Sequence, residues 1–189
     1  MVVVAAERLG RPVLWGETRS EAILSMHGRD QVHWAELGLD PDGLIVGLRL
    51  HVAGDCGAYA GFGGGLALGP TYLMATGPYR VPQLRYDAIA VLTNTAPNGA
   101  FRGAGRPEAA AILERLLDLA ADELGIAPEE IRRRNLLDPE EFPCRTLTGA
   151  DYDNGDYQRA LDEVLLRADI GALRTEQQRR RDAGETRLL

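Results

Sequence analysis

Residues 107–124 place the tightest limit on what this chain can fold into. Pro107 suits the first position of a helix, where its missing N–H costs no hydrogen bond. Ile112, Leu113, Leu116, Leu117, Ala120, Ala121 and Leu124 then recur at helical spacing and make a broad apolar stripe. Gly125 stops the helix. Upstream, residues 31–40 and 44–53 are β-type runs joined by Pro41-Asp42-Gly43, a turn sequence that predicts an antiparallel hairpin. In the second run Leu44, Val46, Leu48, Leu50 and Val52 share one face, with Arg49 and His51 on the other, so this strand is half-buried. Residues 84–93 alternate again and predict a third strand. The predicted fold class is therefore α+β: an antiparallel or mixed sheet with packed helices.

The other segments read less firmly. Residues 2–9 form an apolar helix with no Ser, Thr, Asp or Asn to cap it, which suggests a chain that starts inside a structural unit. Residues 12–16 predict a short strand, and 18–25 and 71–76 short helices, the last closed by Gly77-Pro78. Residues 54–70 are rich in glycine, including Gly61 to Gly65, but no Lys-Ser/Thr follows, so a plain flexible loop is expected rather than a phosphate loop. Residues 128–134 predict a helix with Glu129 and Glu130 in its first turn and Arg132, Arg133 and Arg134 in its last. That order suits the helix dipole and reads as a solvated helix end. Residues 138–156 are irregular. Gly155 and Asp156 spoil a faint calcium-loop pattern at 151–156, and Asp156 instead caps a helix over 157–168. Residues 1–169 are taken as one partial domain, and 170–189 as a charged tail with helical character.

Net charge excludes one class of partner. At −7 the chain lacks the basic face that nucleic acid requires, although all 21 basic residues are arginine. No apolar run reaches the roughly 18–20 residues of a membrane span. The first residues lack the pattern of a signal peptide. Cys56 and Cys144 are the only cysteines and form no CxxC pair, so reduced thiols in a cytoplasmic protein are expected.

The loop at 94–106 carries the chemistry. It lies between a strand and a helix start. Gly103 and Gly105 clear side chains from that approach. Unpaired N–H groups at a helix N-terminus attract anions. Arg102 adds a permanent charge and a fork of donors. A phosphate, a carboxylate or the oxygens of an oxometal centre would suit this loop. A glycine-rich turn before a Pro-started helix also occurs in proteins that bind nothing, and local physics leaves both readings open.

A resemblance favours the first. Asp55-Cys56-Gly57-Ala58-Tyr59, Gly77-Pro78-Tyr79-Arg80-Val81-Pro82, the run from Gly99 to Glu108, and Arg133-Arg134-Asn135-Leu136 with Phe142-Pro143 and Tyr152 to Tyr157 occur in order. With them the chain resembles the molybdenum-binding large subunit of the xanthine dehydrogenase and aldehyde oxidase family, most of all its bacterial branch like the carbon monoxide dehydrogenase large subunit. The resemblance implies a molybdenum–molybdopterin cofactor, commonly the cytosine dinucleotide, whose dithiolene holds the metal. No protein side chain then ligates the metal directly, and His27, His33 and His51 are ordinary surface or strand residues. It implies hydroxylation of a small organic substrate, with electrons leaving through a [2Fe-2S] small subunit and an FAD medium subunit. Arg102 falls on the family's loop arginine beside the metal centre, where it would act electrostatically. Ala100, Phe101, Gly103 and Ala104 fall on its cofactor-contacting neighbours.

Departures from the family narrow the substrate. Carbon monoxide-oxidising members carry a copper-binding cysteine directly after the loop arginine, where this chain has Gly103. Purine-oxidising members carry an aromatic residue one position later, where it has Ala104, and their substrate-orienting arginine falls near Pro70. An aldehyde or an N-heterocycle remains. The family's large subunit is much longer, and its catalytic glutamate falls well beyond residue 189. The resemblance thus implies a partial chain, inactive without the remainder of the large subunit and without a general base of its own. A non-enzymatic cofactor- or partner-binding module built on the same domain is the alternative.

Overall fold

The structure is a computed structural model and describes residues 1–61, 63 and 65–187. Its centre is a three-stranded sheet in the order β1 (Gln31–Leu39), β2 (Ile45–Gly57), β3 (Leu84–Leu92). β1 and β2 form the expected antiparallel hairpin, whereas β3 joins the other side of β2 in parallel, giving a mixed sheet. The long helix is α4 (Arg106–Leu124), which ends at Gly125 in the left-handed conformation. Leu113, Leu117, Ala120 and Ala121 of α4 pack on Leu48, Leu50 and Val52 of β2, and α5 (Pro128–Asn135) adds Ile131. Fully buried side chains such as Leu50 and Leu117 each contribute about 1.5–3 kcal/mol. The α+β expectation holds.

Asn135 closes this core. Its Oδ1 accepts from Ile45 N–H at 2.8 Å, and its Nδ2 donates to the carbonyls of Gly43 and Ile131, each at 2.8 Å. The last residue of α5 thereby satisfies the hairpin turn. Of the arginines before it, expected to be a solvated end, Arg132 is not solvated, whereas Arg134 is exposed. Arg132 is only 16% exposed and donates to Glu114 at 2.7 Å and Asp118 at 2.8 Å. Tyr79 donates its hydroxyl to the same Glu114 at 2.8 Å, and burial, with the Glu114 charge, raises the phenol above its ordinary pKa. Arg133 pairs with Asp162, and Arg134 with Glu130 and the carbonyl of Asp42. Apart from Glu130, the acceptors lie far away in sequence, so the charge pattern at 128–134 alone could not reveal them.

Other expectations shift for physical reasons. Residues 12–16 form no strand: Pro12 offers no N–H, and Leu14 and Trp15 lie exposed without a ladder partner. α1 (Val2–Leu9) is present and has no side-chain cap. α2 (Arg19–Ser25) starts at a capping box made by Thr18 and Glu21. A register shift between Gly38 and Leu39 moves the first residues of β2 by one, so Ile45 is buried while Leu44 and Val46 are exposed. β2 also runs on to Gly57, and α3 (Leu68–Leu73) begins upstream of the predicted 71–76. Pro70 fits the first turn of α3, where no N–H is needed.

In β3 only Leu84 and Tyr86 are half-buried on the inward side. Ala88 and Ala90 stay exposed. Residues 138–156 contain a 3-10 turn at Pro139–Glu141 and a two-residue ladder between β4 (Cys144–Arg145) and β5 (Asp151–Tyr152). Asp156 caps α6 (Tyr157–Ala168) as predicted, and α7 (Ile170–Asp182) supplies the helical character expected of the tail. No helix among the described residues is long and apolar enough to cross a membrane.

Candidate functional site

The sheet delivers the 94–106 loop to one place. Beyond β3 the chain doubles back along the end of β2: Thr93 N–H donates to Gly57 O at 3.1 Å, Ala58 N–H to Thr95 O at 3.0 Å and Asn98 N–H to Cys56 O at 3.2 Å. Asp55 ties this root together. Its carboxylate accepts from Thr93 Oγ1 at 2.7 Å, Gly57 N–H at 2.8 Å and Thr95 Oγ1 at 2.9 Å. Those bonds, Thr93's foremost, hold the carboxyl below its usual pKa range. On the other side, His27 N–H donates to Pro97 O at 3.1 Å and Gly99 N–H to His27 O at 2.7 Å. The segment at 26–30 therefore runs alongside the loop, which no pattern in its sequence announces.

The loop then turns into α4. Ala104 N–H donates to Phe101 O at 2.7 Å and Arg106 N–H to Gly103 O at 3.1 Å. Gly103, Ala104 and Gly105 all have positive φ, at 93°, 44° and 98°. Gly105 has no alternative: a Cβ there would sit 2.0 Å from Ala67 O and 2.7 Å from Thr71 Oγ1. Thr71 is fully buried and donates to Gly105 O at 3.1 Å, so α3 braces the start of α4.

All the predicted contact residues lie in this turn. Ala100, Phe101 and Arg102 are exposed, with Phe101 64% exposed, while Gly103 and Ala104 are half-covered. The N–H groups of Phe101, Arg102, Gly103 and Gly105 donate to no acceptor among the described residues. The Arg102 guanidinium likewise makes no ion pair or hydrogen bond there; only its carbonyl is engaged. Amides and a guanidinium without partners among the described residues thus lie together at the N-terminal end of α4, donors of the kind an anion takes.

Around this turn stand residues that sequence reading passed over. Arg29 Nη1 lies 3.3 Å from Glu108 Oε2, its Nη2 donates to Arg102 O, and its guanidinium carbon lies 5.0 Å from the Phe101 ring centroid. Gly63 packs against Gly99, where a Cβ would lie 2.8 Å from Gly99 Cα. Residues 54–70 were expected to be a plain flexible glycine-rich loop, but 54–57 belong to β2 and 68–70 to α3. Between them Gly63 makes this close approach, and Phe62 and Gly64 lie outside the described residues.

Under the first turn of α4, Thr71 and His33 both approach Gln31 Oε1, at 3.2 Å and 3.0 Å. Gln31 Nε2 and His33 Nδ1 are buried without partners among the described residues, and burial lowers the His33 pKa. His27, Asp30 and Asp55 bring ligand atoms within 4.8 Å of one another. The oxygens of Asp55 are already taken by the loop root, so this group reads as a structural knot.

Comparison with known proteins identifies the domain that carries this turn. Residues 1–136 match the family model of the molybdopterin cofactor-binding domain. The carbon monoxide dehydrogenase large chain of Hydrogenophaga pseudoflava is 39% identical over 95% of this chain and 23% of its own length. Subunit gamma of the 6-hydroxypseudooxynicotine dehydrogenase complex of Paenarthrobacter nicotinovorans is 39% identical over the same shares of the two chains. Among solved structures, quinoline 2-oxidoreductase from Pseudomonas putida 86 superposes with a TM-score of 0.89 at 34% identity, covering 97% of this chain and 24% of that one. The chain thus spans about a quarter of the length of these relatives.

Proposed function

The chain belongs to the molybdopterin cofactor-binding domain family, and from that membership we propose that residues 98–105 form one wall of a molybdenum-hydroxylase active site. The observation that carries this reading is the donor set itself. The N–H groups of Phe101, Arg102, Gly103 and Gly105 are unpaired among the described residues, beside an unpaired guanidinium at a helix start. An anionic cofactor fits such donors. Ala100, Phe101, Arg102, Gly103 and Ala104 would hold it, without direct ligation of the metal by a side chain. When bound, the molybdenum–pterin group supplies the redox centre for hydroxylation.

The chain's own residues would then orient and stabilise. Arg102 would offer a positive charge and a fork of donors where negative charge develops. Glu108 and Glu114 are committed to Arg29 and to Arg132 and Tyr79, so we assign no general base within residues 1–189. Gly103 argues against carbon monoxide as substrate: at its φ of 93° a Cβ would lie 2.7 Å from Pro107 Cδ, which disfavours the cysteine of that chemistry. Ala104 likewise offers no ring to stack on a purine. A small aldehyde or N-heterocycle is the proposed substrate class.

We further propose the cytosine dinucleotide form of the cofactor and a cytoplasmic location. The proposed partners are the remainder of the large subunit, a [2Fe-2S] subunit and an FAD subunit. The domain is assigned to residues 1–169, with 170–189 as an appended helical tail. Molybdenum and pterin analysis tests the reading, on this chain alone and joined to the remaining large-subunit polypeptide. Stoichiometric molybdopterin with hydroxylase activity in the joined form supports it. Stoichiometric pterin without turnover favours a binding module, and no pterin in either form refutes cofactor contact.

A further inference from the structure

We propose that Arg29 is the positioning residue of the 98–105 loop, holding both sides of the turn so that Arg102 keeps one direction; this rests on the reading of that loop as the cofactor wall. The guanidinium meets three things at once. It stacks on Phe101, donates from Nη2 to the Arg102 carbonyl, and pairs through Nη1 with Glu108 in the first turn of α4. Phe101 and Arg102 precede the turn and Glu108 follows it. The residues between are Gly103, Ala104 and Gly105 with Arg106 and Pro107, and the two glycines impose little conformational preference of their own. From within the turn only Arg106 reaches back, its Nη1 lying 3.3 Å from Gly103 O, and Thr71 holds Gly105 O; neither touches the Phe101–Arg102 side that Arg29 joins to Glu108.

Arg29 is built for that brace. Its φ is 62°, a left-handed conformation that residues with a Cβ rarely adopt. The neighbouring backbone enforces it: His27 is bridged to Asn98, and Asp55 N–H donates to Asp30 O at 3.0 Å. Backbone strain of this kind tends to cluster at functional positions. The ion pair is partly sheltered, with Glu108 only 11% exposed. A planar fork is required, because a lysine cannot stack on a ring and reach two separate acceptors together. Arg29 spends one donor of each Nη on Glu108 and on the Arg102 carbonyl, and through the latter it acts on Arg102. Arg102, by contrast, has no side-chain partner among the described residues, and its direction follows its backbone. A displacement of about 1 Å in such a group is enough to cost roughly 10²-fold in rate.

The test compares Arg29→Ala, Arg29→Lys and Glu108→Gln with the unaltered protein. Amide exchange is read at Ala104 and Arg106, which close the turn, and at Leu113 to Leu117 in mid-helix. In Arg29→Ala, exchange at Ala104 and Arg106 is expected to rise about tenfold or more with the mid-helix unchanged, as for a local opening. Arg29→Lys is expected to rescue only part of that, and Glu108→Gln to give a smaller rise. In the cofactor-loaded enzyme, Arg29→Ala is expected to keep its pterin while turnover falls by about 10²-fold. Unchanged exchange at Ala104 and Arg106 would overturn the proposal. So would loss of mid-helix protection in all three variants, which would make Arg29 a general stability residue. Absence of pterin from the unaltered enzyme would instead sink the cofactor reading, while the exchange response would still report the brace.

Discussion

The two ends of α4 are built on opposite terms. At its C-terminal half, Leu117, Ala120 and Ala121 are buried, Glu114 and Asp118 are paired with Arg132, and Gly125 caps the last turn. Gly125 N–H there meets the carbonyls of Ala121 and Asp122. At the N-terminal end the helix begins on Gly105 with no side-chain cap, after a turn of three consecutive positive-φ residues and beside unpaired amides. One end gathers stability. The other leaves donors unused and relies on α3 and Arg29 to keep its shape. Local rules that fail while the surroundings compensate mark positions kept for something other than folding.

Substitutions can break or sharpen this contrast. Gly105→Ala should do the most damage. Its Cβ would collide with Ala67 O in a backbone already at φ 98°, and a loss of about 3–5 kcal/mol is expected in chemical denaturation. A loss below about 1 kcal/mol would mean that the turn relaxes easily and that the glycine is not structural. Asn135→Ala comes next. It strands Ile45 N–H and Gly43 O in the core, and should cost about 2–4 kcal/mol by the same measurement, without altering the loop.

Acid should reach the loop root through Asp55. Its folded pKa is lowered, so its contribution is fully present above the unfolded value, near 4, and is lost as pH falls through the folded value. Stability measured against pH should therefore fall on the acid side, and Asp55→Asn should flatten part of that slope. An identical slope in the variant would remove Asp55 from the account. Arg102→Ala should have the smallest effect on stability, within about 0.5 kcal/mol, because its exposed side chain makes no hydrogen bond or ion pair among the described residues.

Sequence legibility follows the same division. α4, the β1–β2 hairpin, the third strand and the Asp156 cap were readable, since each carries its signal within its own residues. The turn at 98–105 was readable as a candidate site from its glycines, Arg102 and the ordered motifs of the resemblance. What escaped depends on partners distant in the chain. The register shift at Gly38 exposes Val46 and buries Ile45, and the run of β2 to Gly57 needs β3 beside it. The Arg132 pairs need α4, and the strand expected at 12–16 lacked a neighbour to bond. Arg29 and Gly63 are the clearest case: isolated residues in unremarkable stretches, brought to the turn only by the tertiary fold.

The central claim is that Arg102 is free of the fold because its partner is the bound cofactor. Turnover of Arg102→Ala in the complete, cofactor-loaded enzyme, measured at matched pterin content, tests it most directly. The expected result is a fall of about 10²–10³-fold, as for removal of one preorganised donor, with the denaturation midpoint barely moved. Unchanged turnover at equal pterin content would contradict the claim, and a collapse of folding would show Arg102 to be a structural residue instead.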